Sequence, residues 1–375
     1  MLKNLINFNR LSDYWRNIDK NILFSFLALF FLGIFFSFSS TSYLAGERLN
    51  KDFYHYFTRH LTFSVIAIFV MFTISYVNIS FLKKTILPIF LISFLLLVLV
   101  PFFGIEIKGS KRWLDFIIFR LQPIELIKPF FVLICASLIS EGKEKNSNYS
   151  YFLSLVLLSI IITLLLNQPD VGQSILLITT WISIVFISGI KIGYIVLLFG
   201  LLIIFSISIL AIFPEKFGYI VQRLNVFFDP TKGDNFQTDK ALAAIKQGGL
   251  KGQGMGEGIL KEDVPEAHTD YIIAVITEEF GSIISIFVIT IFLYISYKII
   301  KNCIKTSDEN SKIALCGLSS LLIFQTFIHL GVNTSLLPST GMTLPFLSYG
   351  GSSLIGSSIL AGVILNLTKK RFENE

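Results

Sequence analysis

Thr85-Ile-Leu-Pro-Ile-Phe-Leu-Ile-Ser-Phe-Leu-Leu-Leu-Val-Leu-Val-Pro-Phe-Phe103 contains no charged side chain. As a helix it is long enough to cross the hydrocarbon core of a bilayer, which needs about 20 apolar residues. Comparable runs occur at Asn21–Tyr43, Leu61–Val77, Ile124–Ser140, Tyr151–Leu166, Val171–Ile190, Ile192–Phe213, Tyr271–Tyr297, Ile313–Leu337 and Pro345–Leu365. The pattern predicts an all-α polytopic membrane protein with about ten transmembrane helices. The fifth and sixth runs are separated only by Asn167-Gln-Pro-Asp170, either as a tight hairpin or as one broken pair.

The composition demands lipid as solvent. Of 375 residues, 53% are hydrophobic and 15% charged, with mean hydropathy +0.72, far too apolar for a soluble domain of this size. The first run lacks a convincing small-residue cleavage site and reads as a retained anchor rather than a signal peptide. An even number of spans puts both termini on one side. Outside the helices that side carries 16 Lys and Arg, against 7 in the short loops opposite and 7 more in the long segment Pro214–Asp270. Positive charge marks the cytoplasmic side, so both termini are predicted cytoplasmic and residues 214–270 form one large extracytoplasmic loop. Cys135, Cys303 and Cys316 form no metal-binding or disulfide spacing. No repeat or second domain is visible, so residues 1–375 read as a single membrane domain, opened by a basic, partly aromatic segment, 1–20, suited to the inner membrane surface. Nothing in the pattern of cations calls for nucleic acid.

The cytoplasmic loops are too short to hold a catalytic domain, which moves attention outward. The long loop ends Val264-Pro-Glu-Ala-His-Thr-Asp270, with Glu266, His268 and Asp270 within five residues of a helix start. Asp270 in the N-cap position would satisfy free backbone N–H groups; an ionised carboxylate in a partly dehydrated pocket is also what a general base requires. Lys111, Arg112 and Trp113 place two cations and an amphipathic ring at the outer interface. They suit headgroup anchoring, or the phosphates of a lipid-borne pyrophosphate sugar, which Arg223 could join. Asp170 follows Pro169 at a helix start, where capping alone would explain a carboxylate and a role toward substrate is the alternative. Glu125 and Lys128 share a helix face at i, i+3 and read as an intramembrane ion pair bordering a polar cavity. Gly248–Gly258 lacks the order of a phosphate-binding loop and reads as a tightly turned backbone at the membrane mouth. Gln325, His329 and Asn333 form a polar seam along one helix. Gly341–Ser353, with Ser348, opens the last helix with small residues that allow close packing.

At these motifs the chain resembles the SEDS family (shape, elongation, division and sporulation), polytopic glycosyltransferases that polymerise peptidoglycan. The matching elements are Gly109-Ser-Lys-Arg-Trp113, Gln122-Pro-Ile-Glu-Leu-Ile-Lys128, Gln168-Pro-Asp170, Gly248–Gly258, Pro265-Glu-Ala-His-Thr-Asp270 and Pro338–Ser353, in family order over nearly the whole chain. Gln237–Ile245, the Ala of Pro-Glu-Ala-His and Gly341-Met-Thr-Leu-Pro345 look more like the division-type than the elongation-type members. Glu257 departs from the pattern without an evident reason. The resemblance implies lipid II and the growing glycan strand as substrates, Asp270 as catalytic base, and Lys111, Arg112 and Arg223 near the pyrophosphate, with Trp113, Glu266, His268 and Ser348 contributing to substrate binding. It implies a class B penicillin-binding protein transpeptidase and other divisome proteins as partners, in the bacterial cytoplasmic membrane at the septum. No cofactor is called for; whether a divalent cation, Mg or Mn, assists stays open. The rival readings are a lipid II flippase, expected to line a path through the bilayer with polar groups, and a scaffold without catalysis.

Topology is testable without activity. Lys232→Cys and Asp308→Cys are expected to be labelled by impermeant maleimide from opposite sides of the membrane. Labelling of position 232 from the cytoplasm alone would invert the orientation.

Overall fold

The computed structural model describes residues 8–48, 54–194, 214–229 and 236–369, apart from 108, 117–118, 146 and 148, with scattered positions between 196 and 208. The predicted span Ile192–Phe213 lies mostly outside the described residues. Among the latter, seven helices are long and apolar enough to cross a membrane. They are α2 (Lys20–Arg48), α3 (His55–Tyr76), α4 (Ile79–Phe103), α5 (Pro123–Glu144), α6 (Tyr149–Asn167), α10 (Ile272–Lys305) and α11 (Glu309–Asn333). Two shorter apolar helices, α7 (Val171–Ile187) and α12 (Gly351–Leu367), join them. The molecule is a multi-pass helical membrane protein. The remaining described α-helices are α1 (Phe8–Asn17), α8 (Pro214–Phe228) and α9 (Phe236–Gly248).

Burial sorts the helices. Of the most apolar windows of α5 and α11, 78% and 72% are enclosed, against 22% for α3, α4 and α6. The first two, which carry the intramembrane polar residues, therefore form the centre, and the others present Leu, Ile and Phe outward. α6 and α7 form a hairpin around the turn at Gln168–Asp170, with Asp170 accepting the Gln173 N–H as N-cap. At one end of the bundle Lys369 lies 4.9 Å from the centroid of the Tyr14 ring, Tyr14 bonds Ser75, and Asn302 donates to Asp19 at 2.9 Å. The two described ends of the chain thus lie on the same side.

Three departures from the sequence reading bear on the site. Part of the outer segment Gly104–Gln122 folds as a small antiparallel meander, β1 (Ile105–Ile107), β2 (Ser110–Phe116) and β3 (Phe119–Leu121), packed against α4 and α5. The last apolar run becomes helical only at Gly351; residues 341–350 form turns, with Phe346 at φ 66°, because their polar groups are engaged by the neighbouring loop described below. Asp270 is not the N-cap of the following helix. That position is Tyr271, which makes no side-chain cap bond, and Asp270 lies one residue earlier in a turn.

The glycine-rich stretch is a docked backbone rather than a free loop. α10 breaks at Gly281, which takes φ 84°, ψ 166°, a region almost confined to glycine. A break exposes backbone groups that lipid cannot satisfy. Here the carbonyls of Glu278 and Glu279 accept the N–H groups of Gln253 and Gly254 at 2.8 and 3.0 Å, while Ser282 and Ile283 donate to the carbonyls of Gly249 and Leu250. Close approach explains the glycines. An added Cβ would lie 2.0 Å from the Thr277 oxygen at Gly248, 2.2 Å from the Glu279 oxygen at Gly252, and 2.2 Å from the Leu250 oxygen at Gly281.

Gly281→Ala is therefore expected to cost roughly 3 kcal/mol or more through strain and overlap. Gly218→Ala, in α8 with nothing within 4 Å of the added carbon, is expected to be neutral or to stabilise by about 0.5–1 kcal/mol. Thermal unfolding of the purified protein in detergent compares the two, and equal Tm values would refute the docking account.

Candidate active site

The turn that carries Asp270 is built by one carbonyl. Glu266 adopts φ 54°, unusual for a residue with a side chain, and its oxygen accepts the N–H groups of Thr269, Asp270 and Tyr271 at 3.0, 3.1 and 3.2 Å. Its carboxylate accepts the Thr269 hydroxyl at 2.9 Å. Neighbouring segments clamp the same turn through main-chain atoms. Tyr349 N–H donates to the His268 carbonyl at 2.8 Å, the Ser348 hydroxyl to the Thr269 carbonyl at 2.6 Å, and Asn333 Nδ2 to the Asp270 carbonyl at 2.9 Å. The His268 ring lies 4.4 Å from that of Tyr56 and 5.6 Å from that of Tyr349, centroid to centroid. His268 thus wedges the turn against α3. Ser348 is buried, donating to Thr269 and accepting from the Leu344 N–H, so its hydroxyl is occupied by backbone rather than presented to a ligand.

Arg112 reaches the site from β2. Its Nε donates to the Gln168 carbonyl at 3.1 Å and its Nη2 to the Pro169 carbonyl. Gly341, at φ 71°, lies beside both Arg112 and Asp270: a carbon added there would lie 3.6 Å from Asp270 Oδ2 and 3.7 Å from Arg112 Nη1. Arg223, on α8, donates from Nη1 to the Ser339 carbonyl at 3.2 Å. Burial, and after it the neighbouring Arg112 guanidinium, pull the Arg223 pKa below the ordinary arginine value, with Tyr219, Asp170 and Tyr271 acting in the other direction. Two guanidiniums therefore share one electrostatic environment, with Asp170 and Tyr271 part of it, and Arg112 brings it to Gly341 beside Asp270. The β1–β2 register slips at Arg112, Lys111 pairing with Glu106 and Trp113 with Ile105, so Arg112 sits in a bulge and Lys111 and Trp113 face opposite sides of the meander. Lys111 is exposed.

Beneath the cations a hydrogen-bonded seam enters the bundle. Gln122 Nε2 and the Gln173 N–H donate to the two oxygens of buried Asp170 at 3.3 and 3.4 Å. Gln173 Nε2 donates to Glu125 Oε1 at 2.8 Å, and Glu125 Oε2 lies 2.8 Å from Lys128 Nζ. Lys128 donates to Gln325 at 3.1 Å, and Gln325 to the Thr343 carbonyl at 3.1 Å. His329 Nδ1 meets the Met342 carbonyl at 2.8 Å, so the α11 seam holds the 341–350 turns from below. Glu125 and Lys128 line a small cavity together with Gln325, Pro345 and Gly356. Among the described residues no three His, Cys, Asp or Glu side chains group as a metal site. The sequence reading missed Tyr56, Tyr349, Gln173 and Gly341. The signal for Gly341 was its own motif, read there as packing; no pattern pointed to Tyr56.

Residues 19–373 match the family of cell cycle proteins that comprises FtsW, RodA and SpoVE. The chain belongs to the SEDS family. A relative from Caulobacter vibrioides, named probable peptidoglycan glycosyltransferase FtsW, is 32% identical over 96% of this chain and 91% of its own length. A chain of a solved peptidoglycan synthase complex, described as coordinating polymerization and crosslinking, superposes with TM-score 0.77 at 24% identity, covering 94% of this chain and 97% of that one. Thermus thermophilus rod shape determining protein RodA superposes with TM-score 0.68 at 23% identity over 94% and 96%. At these identities the structures establish the shared fold.

The seam yields a stability prediction. Glu125→Gln or Lys128→Met alone leaves one buried charge unpaired and is expected to cost about 3–5 kcal/mol. The double variant is expected to cost clearly less than the sum of the two. Strictly additive losses in a thermal double-mutant cycle would remove the coupling.

Proposed function

We propose that this chain is a division-type peptidoglycan glycosyltransferase that polymerises lipid II into glycan strands for septal wall synthesis. The observation that carries the reading is Asp270, on a turn held by main-chain hydrogen bonds, next to Gly341 and Arg112, with Arg223 close enough to Arg112 to feel its charge. Curated relatives named peptidoglycan glycosyltransferase FtsW support the activity and the division role.

In the proposed reaction the Asp270 carboxylate takes the proton of the acceptor's GlcNAc 4-hydroxyl as that oxygen attacks C1 of the donor's MurNAc. The C1–O bond to the pyrophosphate breaks, and undecaprenyl pyrophosphate leaves with the electron pair. Negative charge grows on the leaving oxygens. Two prepositioned guanidiniums stabilise such charge more than water does, because they need no reorganisation. Lys111, which is exposed, and Trp113 serve the headgroup layer or the lipid portion of a substrate. Glu266, His268 and Ser348 act by shaping the turn. Asp170, Glu125 and Lys128 support it from below, and because that seam is hydrogen-bonded within itself it favours a polymerase over a flippase. Glycan polymer and its crosslinks are made together, so the fitting partner is a class B penicillin-binding protein transpeptidase, with other divisome proteins, in the cytoplasmic membrane with both termini inside. Residues 1–375 act as one domain, with 214–270 outside.

Asp270→Asn keeps the shape and the Asn333 contact but cannot take a proton at neutral pH. Polymerisation of lipid II by the purified protein with its transpeptidase partner is expected to fall by roughly 10²-fold or more, with folding unchanged by thermal unfolding. Near-parental polymer yield from the Asn variant would reject Asp270 as the base.

A further inference from the structure

A second buried charge cluster lies outside the site, at the break in α10. Lys261 Nζ pairs with Glu279 Oε1 and donates to the Gly256 carbonyl at 3.1 Å, while the Ser39 hydroxyl of α2 donates to Glu279 Oε2 at 2.6 Å. Glu278 Oε1 accepts the Leu260 N–H at 2.7 Å, and its other oxygen is buried without a hydrogen-bond partner among the described residues. Lys261, Glu278 and Glu279 are all 2% exposed or less. Desolvating an ion pair this completely is unfavourable unless its geometry is held closely, and apolar residues would stabilise the same space at least as well. Simple packing does not account for it.

Its place in the chain does. Glu278 and Glu279 are the residues whose carbonyls, freed by the kink at Gly281, accept Gln253 and Gly254. Their side chains meanwhile hold residues 260–261, the start of the segment that runs into the catalytic turn. From there the Leu260 carbonyl accepts the Asp263 N–H at 2.9 Å and the Lys261 carbonyl the Val264 N–H at 3.3 Å, leading directly to Glu266 and Asp270. The far side of the turn is held by Asn333, Ser348 and Tyr349. Among the described residues the head is held by this cluster and by the half-exposed pair Lys240–Asp263.

We propose that Lys261 and Glu279 are positioning residues for Asp270. Their ion pair, assisted by Ser39 and by the Glu278–Leu260 bond, fixes the head of the 264–271 turn to the broken helix and so sets where the carboxylate stands relative to Arg112. The proposal rests on the reading of Asp270 as the base, and its test separates the two.

Hydrogen exchange of the whole protein in detergent is measured by mass spectrometry for the parent, Lys261→Met, Glu279→Gln and the double variant, alongside kcat and KM for lipid II. The double variant removes both charges, so it escapes the unpaired buried charge that could unfold either single one. It is expected to keep parental exchange in the spans, to exchange about tenfold faster across 264–271, and to lose about tenfold in kcat with KM within about twofold. Parental exchange at 264–271 in the double variant would overturn the proposal. A uniform rise across all spans would overturn it too, by showing a purely structural role. Faster exchange confined to 264–271 with kcat undiminished would uphold the positioning of the turn and refute Asp270 as the base.

Discussion

A helix that breaks within a bilayer frees carbonyl and N–H groups that the solvent cannot bond, and the break in α10 at Gly281 is closed by the backbone of residues 249–254. Much else in the outer half of the molecule follows from that exchange. The donor segment must approach backbone to backbone, which requires glycine at 248, 252 and 281. Once docked, it delivers residues 256–263 to the side chains of Glu278 and Glu279, and these lead into the turn that carries Asp270. The docking also supplies precision, since a turn held at both ends has little freedom to drift.

The cations are held by the same means. Arg112 gives two of its donors to the carbonyls of Gln168 and Pro169, and Arg223 gives one to Ser339. A guanidinium has five donors, so each keeps N–H groups and its full charge available. Neighbouring like charges repel, and the Arg223 pKa registers that through burial and Arg112. Carbonyl oxygens offset the repulsion partly, leaving the pair suited to an anion with more than one oxygen. A pyrophosphate presents such oxygens in a compact, doubly charged group.

The apolar pattern revealed most of the fold, because a span needs only length and hydropathy to be visible. Glu125 and Lys128 were legible as a pair for a related reason: two charges at i, i+3 in an apolar helix have few other ways to be accommodated. The boundaries at Asp270 and at Pro345–Gly350 were not legible. Both are decided by hydrogen bonds between segments far apart in the chain, Tyr349 to His268 and Ser348 to Thr269, and these override an apolar or capping signature. Lys111-Arg112-Trp113 read as one cluster, and the bulge at Arg112, which no local pattern announces, gives the three side chains different surroundings. The short meander went unread because its strands are only a few residues long and flank a membrane span. The role of Tyr56 depends on a ring contact with His268 across more than two hundred residues, which no local pattern encodes.

The spacing between Asp270 and Arg112 carries a chemical requirement. A carboxylate locked in a tight ion pair with a guanidinium is strongly held in its charged form and is a poorer proton acceptor. One placed far from any cation would leave the leaving group unsupported. Gly341 lies beside both groups, with 3.6 and 3.7 Å from an added carbon to Asp270 Oδ2 and Arg112 Nη1, so a side chain there would crowd them, while main-chain carbonyls hold two of the Arg112 donors. On the proposed reading the diphosphate and the acceptor hydroxyl enter beside both groups, in space that a side chain at 341 would take. The absence of a side chain at Gly341 is thus as much a part of the site as the charges beside it.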